Sequence, residues 1–300
     1  MLVLTRSEVE SLIDPDALRA AVAAAMADLS AGRASMPARI AALVGERDGL
    51  LAAMPAYLPS AGALTTKLVS LFPRNTDRPT HQAVIVVFDP AHGTPVALMD
   101  GEAITAARTA AGSALATDLL ARRDARVLAV LGTGVQARAL AEDARGWLDA
   151  PVRAMASYAD ALAGADVVSA ATHSPEPVVR REWLGRGAHV TSVGYNTAGR
   201  EVDGATLRDA VLVVESRAAA LAPPPAGSSD IARAIAEGAM TADHVHAELG
   251  ELVAGTKRGR TRDDELTVYK SVGVAVQDAA AAALILTAAR RAKIGREINL

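Results

Sequence analysis

The stretch Gly132-Thr133-Gly134-Val135-Gln136-Ala137 follows the apolar run "RVLAVL", and two glycines at this spacing suit the grip of a diphosphate. The first permits a tight turn, and the second lets phosphate oxygens approach the backbone. A small third residue, here Ala137, lets the next helix pack closely on its strand. That helix offers its first, unpaired N–H groups to the anion. The expected complement is an acidic residue about 20 residues further on that holds the ribose. Asp160 stands near that place and would imply NAD, since residues 154–164 contain no Arg or Lys for a 2′-phosphate. Asp160 is equally placed to cap the helix "ADALAG".

A second group of residues suits a small carboxylate. Arg108 falls in the second turn of a predicted helix over 102–123, with Thr105 and Thr109 nearby. A guanidinium beside a helix N-terminus makes a good carboxylate receptor. Lys67, in "TTKLVSLF", shares a strand face with Val69 and Leu71, where an apolar residue is expected. It is either functional or a lysine snorkelling from an edge strand. His173 follows a strand, in a loop of the kind that contacts cofactors. His244 and His246 lie about 200° apart on a predicted helix and cannot share an ion; no metal site is expected.

These residues need two kinds of scaffold. Asp14, Pro15 and Gly32 bound a first helix. Strands follow at 63–73 and 82–90, the second turning back into a third at 95–99, so the first region is α+β with antiparallel pairing. Beyond the 102–123 helix the grammar changes to strand–helix alternation. "RVLAVLG", "PVRAMASY", "ADVVSAAT", "AHVTSVG" and "AVLVVES" read as strands of a doubly wound, Rossmann-type parallel sheet. The run "SVGVAVQDAAAAALILTAARRAK" closes the chain as a helix returning to the first region. The expected domains are 1–118 with 270–300, for substrate and dimerisation, and 119–269, for the dinucleotide.

Composition narrows the partners. The chain has 300 residues, 51% hydrophobic and 22% charged, as an ordinary globular protein does. With a net charge of −3, scattered cations and only 3% aromatics, nucleic acid is not expected. Absence of cysteine excludes disulfides and thiolate chemistry. Charge at Arg6 argues against a signal peptide, and the apolar run 279–289 is too short to span a bilayer. A cytoplasmic protein with no membrane partner is expected.

Taken together, "MPARI", "LLAAMPAYLP", "TTKLVSLFPRN", "ITAARTAAGSALA", "VLGTGVQA", "DHVHAELGEL" and "KSVGVAVQDAAAA" resemble the ornithine cyclodeaminase/μ-crystallin family, in the right order over most of the chain. The resemblance implies a homodimer using NAD or NADP on amino or imino acids. It places Lys67, Arg108 and Arg39 in the substrate-carboxylate and catalytic cluster. It places Gly132, Thr133, Gly134, Val135, Gln136, Thr172 and Gly194 at the cofactor. Two departures shape the expectation. Where cyclodeaminases resemble "GGD", this chain reads Gly194-Tyr195-Asn196, and an amide cannot serve as general base. The span from Gly132 to "GADVV" looks one strand–helix unit short, so the ribose-reading strand would be missing. The expected function is NAD(P)H-dependent reduction of an imine next to a carboxylate. Alternatives are an amino-acid dehydrogenase or deaminating cyclase, and a non-catalytic ligand-holding protein.

Overall fold

The computed structural model describes residues 1–145, 153–196 and 199–299. In chain order, β1 (Leu2–Leu4) leads into α1 (Arg6–Leu12) and α2 (Pro15–Ser30). Asp14 caps α2, its carboxylate accepting from the N–H groups of Asp16 and Ala17. Then come β2 (Ile40–Val44), β3 (Gly49–Leu58), β4 (Ala63–Leu71), β5 (His81–Phe88), β6 (Pro95–Asp100) and α3 (Gly101–Leu120). The alternating part follows: β7 (Leu128–Leu131), α4 (Val135–Arg145), α5 (Tyr158–Leu162), β8 (Val167–Ala170), β9 (His189–Ser192), α6 (Gly204–Asp209) and β10 (Ala210–Val214). After these are α7 (Arg217–Ala220), α8 (Ser229–Ala236), β11 (Val245–Glu248), α9 (Leu249–Val253), β12 (Leu266–Lys270), α10 (Ala275–Ala292) and β13 (Arg296–Glu297).

Backbone contacts divide the chain into two units, Met1–Arg108 with Val274–Leu300, and Thr109–Gly273. Among the described residues, the first unit holds a sheet of order β13-β1-β6-β5-β4-β3-β2. The predicted hairpin pairs β5 with β6 antiparallel, and β4 pairs antiparallel with both β3 and β5. Strand register puts Met54, Lys67 and Ile85 in one row across β3, β4 and β5. All three are buried, on the face that α10 covers. Small side chains make this packing possible. Ala279, Ala280, Ala281 and Ala282 of α10 are all buried, so the helix lies close to its neighbours β3, β4 and α2.

The second unit is the expected parallel sheet, of order β11-β10-β12-β9-β8-β7 among the described residues. Its core is aliphatic: Val168, Val190, Leu212 and Val268 from the strands meet Leu162, Leu207 and Ile231 from the helices. Each such side chain contributes about 1.5–3 kcal/mol when fully buried.

Three sequence expectations fail here. The strand expected over "PVRAMASY" begins at residues 151–152, outside the described residues, and 153–157 form no strand. Instead Ser157 N-caps α5 and accepts from the N–H of Asp160, whose carboxylate accepts the Ser157 hydroxyl. Asp160 therefore belongs to a helix start. The helix expected around His244 and His246 is replaced by a short turn and the strand β11, because parallel pairing with β10 overrides the local preference. Finally, the edge-strand explanation for Lys67 falls, since β4 has a neighbour on each side.

Candidate functional site

Lys67 projects from β4 with 3% of its surface exposed, which a lysine tolerates only with a partner. That partner is Asp278, in the first turn of α10, whose Oδ2 lies 2.7 Å from Lys67 Nζ. A carboxylate there also interacts favourably with the positive end of the helix. Its Oδ1 accepts from Arg108 Nε at 3.1 Å, and Arg108 Nη1 donates to Gln277 Oε1 at 3.1 Å. Three elements thus converge: β4 supplies Lys67, α3 supplies Arg108, and α10 supplies Gln277 and Asp278. Arg39, half-buried just before β2, lies close enough for its charge to bear on Lys67.

The charges do not balance. Lys67 and Arg108 face a single carboxylate, Asp278, so the cluster keeps an excess of positive charge. Burial depresses the Lys67 ammonium, Arg108 and Arg39 push the same way, and Asp278 opposes them; the result is a pKa of about 8. Burial would raise Asp278, but the charges of Lys67 and Arg108 hold it below its ordinary value. His81, on the same sheet face at the start of β5, is driven down to about 4 by burial and by those cations, so it is neutral near pH 7. Arg108 thus spends Nε and Nη1 on α10, and Lys67 Nζ pairs with the same helix. The hydroxyl of Thr105, one turn before Arg108, is buried and unpartnered among the described residues. A buried hydroxyl with nothing to bind calls for a partner.

The second unit carries the glycine turn. Gly132 has φ +117°, and a Cβ on it would lie 2.5 Å from the Ala171 carbonyl oxygen and 3.4 Å from Ala137 Cβ. Neither the turn nor its packing admits a side chain. At Gly134 nothing stands within 4 Å of a would-be Cβ, and Thr133, Gly134 and Val135 are exposed. The backbone there is open to a ligand at the N-terminus of the 11-residue helix α4, whose ladder begins with Arg138 N–H to Gly134 C=O. Gln136 Oε1 is buried without a partner. The donor set fits the diphosphate of a dinucleotide.

Thr172 and Gly194 sit at the same end of the sheet, but their donors are taken. Glu201 Oε1 accepts from the N–H and hydroxyl of Thr172, and Oε2 accepts from Gly194 N–H. Through these bonds both residues help to shape the loops after β8 and β9. Asn196 donates to the His173 carbonyl, and His173 Nδ1 bonds the Tyr195 carbonyl, so both residues join the loops after β8 and β9. His244 and His246 bond the carbonyls of Leu207 and Arg258. Among the described residues no cluster of three metal-ligating side chains occurs, and no helix is long and apolar enough to cross a membrane.

Asp278 and Glu201 were not among the expected site residues. The signal for Asp278 was present: a carboxylate inside an eighteen-residue, largely apolar helix needs a buried cation. Glu201 had no such signal.

The model of the ornithine cyclodeaminase/mu-crystallin family matches residues 1–147 and 138–293. Ketimine reductase mu-crystallin of Mus musculus is 38% identical over 290 aligned positions, covering 87% of this chain and 88% of its own. The solved Δ1-pyrroline-2-carboxylate reductase of Thermococcus litoralis, in complex with NADH and L-proline, superposes with TM-score 0.93 at 35% identity. It covers 99% of this chain and 100% of its own. An archaeal alanine dehydrogenase dimer with bound NAD gives TM-score 0.91 at 31% identity, over 100% and 99% of the two chains.

Proposed function

Because the chain belongs to the ornithine cyclodeaminase/mu-crystallin family, we propose that it reduces an imine adjoining a carboxylate to an amino acid, with NADH or NADPH as reductant. The single observation that carries this reading is the buried cluster of Lys67, Arg108 and Asp278, in which two cations share one carboxylate.

A reduced nicotinamide, when bound, supplies a hydride to the imine carbon and leaves oxidised. The residues of the chain do the rest. Arg108, steered by Asp278 and Gln277, takes the substrate carboxylate together with Arg39, and this fixes the orientation of the adjoining C=N bond. Lys67 Nζ, with a pKa of about 8, carries a proton at neutral pH and gives it to the nitrogen as the hydride reaches carbon. Asp278 keeps that ammonium charged inside the protein. The turn from Gly132 to Gln136 would hold the cofactor diphosphate, and the open space over Gly134 suits it.

Likeness to the alanine dehydrogenase favours the opposite direction, oxidation of an amino acid, as a second reading. The same residues serve it, with Lys67 taking up the proton.

The chain works as a homodimer. The row Ile40–Ala53–Leu68–Val84 crosses β2 to β5 on the face away from α10, and Leu51 and Tyr57 share that face. Ile40 is 71% and Leu51 50% exposed, which is costly on a free sheet and fits burial against a second copy.

The test is a titration with NADH and NADPH followed by turnover on cyclic imino acids and on mixtures of 2-oxo acids with amines. Loss of reduced-cofactor absorbance supports the reading. Ammonia release or NAD reduction with amino acids alone moves it to the dehydrogenase or cyclase. Tight binding of a carboxylate ligand with no cofactor affinity moves it to a non-catalytic ligand-holding protein.

A further inference from the structure

A second buried cluster of charge lies in the second unit, at the C-terminal ends of β8, β9 and β12. Lys270 ends β12 and is 1% exposed. Its Nζ donates to Ser192 Oγ at 3.0 Å and to the Gly194 carbonyl at 2.8 Å, and it pairs with Asp230 Oδ2 at 2.9 Å. Asp230 Oδ1 accepts from the N–H groups of Glu201 and Val202, both at 2.8 Å. Glu201 then holds two loops at once. Its Oε1 accepts from Thr172 N–H and Oγ1, and its Oε2 from Ser192 Oγ and Gly194 N–H. A Cβ on Gly194 would run into the Glu201 carboxylate.

The loop after β8 is the one on which the phosphate turn rests, because Gly132 packs against the Ala171 carbonyl. In a parallel sheet the ends of the strands at this side are where a nucleotide binds. A fully bonded buried network is rigid, and a half-bonded one is costly. We infer that Glu201, fixed by Asp230 and Lys270, is a positioning residue for the dinucleotide: it sets the 171–172 and 193–194 loops, and through them the height of the Gly132 turn. The inference rests on the nucleotide-binding reading above.

The substitution Glu201→Gln tests it, because an amide presents N–H groups to donors that now meet oxygen. Asp166→Asn is the control. Asp166 accepts from the N–H groups of Arg126 and Val127 and pairs with Arg122 at the opposite end of β8, so it clamps backbone without being near the turn. Full-length wild type and both variants are titrated with NADH and NADPH by calorimetry, alongside thermal melts. The expected result is a rise in Kd of roughly tenfold or more for Glu201→Gln and less than about twofold for Asp166→Asn, even where both lower Tm. Equal changes in the two variants, or a folded Glu201→Gln that binds as wild type does, overturn the inference. If Glu201→Gln does not fold, Ser192→Ala removes one bond from each of Glu201 and Lys270. A rise in Kd of about threefold is then expected, and none overturns the inference. Wild type that binds neither nucleotide overturns the underlying reading as well, and the wild-type titration by itself identifies that case.

Discussion

Asp278 Oδ2 and Lys67 Nζ lie 2.7 Å apart with almost no solvent access, one in the first turn of α10 and the other at the middle of β4. In the reduction proposed above, this pair holds the proton that reaches the substrate nitrogen. Without the carboxylate, burial and the neighbouring guanidinium groups would depress the ammonium further. Asp278→Asn is therefore expected to lower kcat/KM for the imine by about 100-fold or more. It should also move the alkaline limb of the pH profile to lower pH. An unchanged limb would show that another group supplies the proton.

The same pair fixes the wild-type pH dependence. A lysine whose pKa is lowered to about 8 is protonated below that pH and neutral above it. In the reductive direction kcat/KM should be flat below about pH 8 and fall by up to tenfold per pH unit above it. The oxidative direction should show the mirror image. A limb near the pKa of an ordinary lysine would contradict the role given to Lys67.

The glycine turn separates affinity from stability. At Gly134 a side chain meets open space, so Gly134→Val is expected to keep the wild-type Tm while weakening NADH binding by roughly tenfold or more, through obstruction of the diphosphate. At Gly132 the positive φ and the Ala171 carbonyl forbid a side chain, so Gly132→Ala should also lose about 1–3 kcal/mol of stability. Paired melts and titrations would expose any variant that breaks this pattern.

Acid sensitivity should come in part from His189. Thr267 Oγ1 donates to the Leu120 carbonyl, so it accepts from His189 Nδ1–H, which leaves Nε2 bare and buried. Burial, with Arg260 nearby, lowers this imidazole from 6.5 to about 3. Below pH 6.5 the unfolded chain gains a proton that the native state refuses, so this stability is complete above 6.5 and is lost as pH falls toward 3. The limiting slope is roughly 1.4 kcal/mol per pH unit. Urea unfolding of wild type and His189→Asn between neutral and acid pH would show a shallower dependence in the variant.

The exposed sheet face makes a prediction about assembly. Leu51→Glu places a charge on this face, between Ala42 and Ser70, and should shift the protein from dimer to monomer in sedimentation velocity, with nucleotide affinity unchanged. A variant that sediments as wild type does would place the dimer contact elsewhere.

The residues themselves announced the strand–turn–helix at Gly132, the hairpin of β5 and β6, the caps of α2, and the oddity of Lys67, because each is a local rule written in a few neighbouring side chains. β3 escaped notice, since "GLLAAMPAYL" alternates weakly and gains its conformation from partners on both sides. The helix expected at His244 gave way because local preference decides only where no pairing opposes it, and β10 pairs with the stretch that follows. Arg108 and Lys67 could be suspected from sequence, but not what they face. That Asp278 closes the pair, and that Glu201 holds the loops after β8 and β9, depends on residues distant in the chain meeting in space. Sequence spacing carries no information about such meetings. The tertiary structure supplied them, because a buried charge is tolerated only where folding brings its partner.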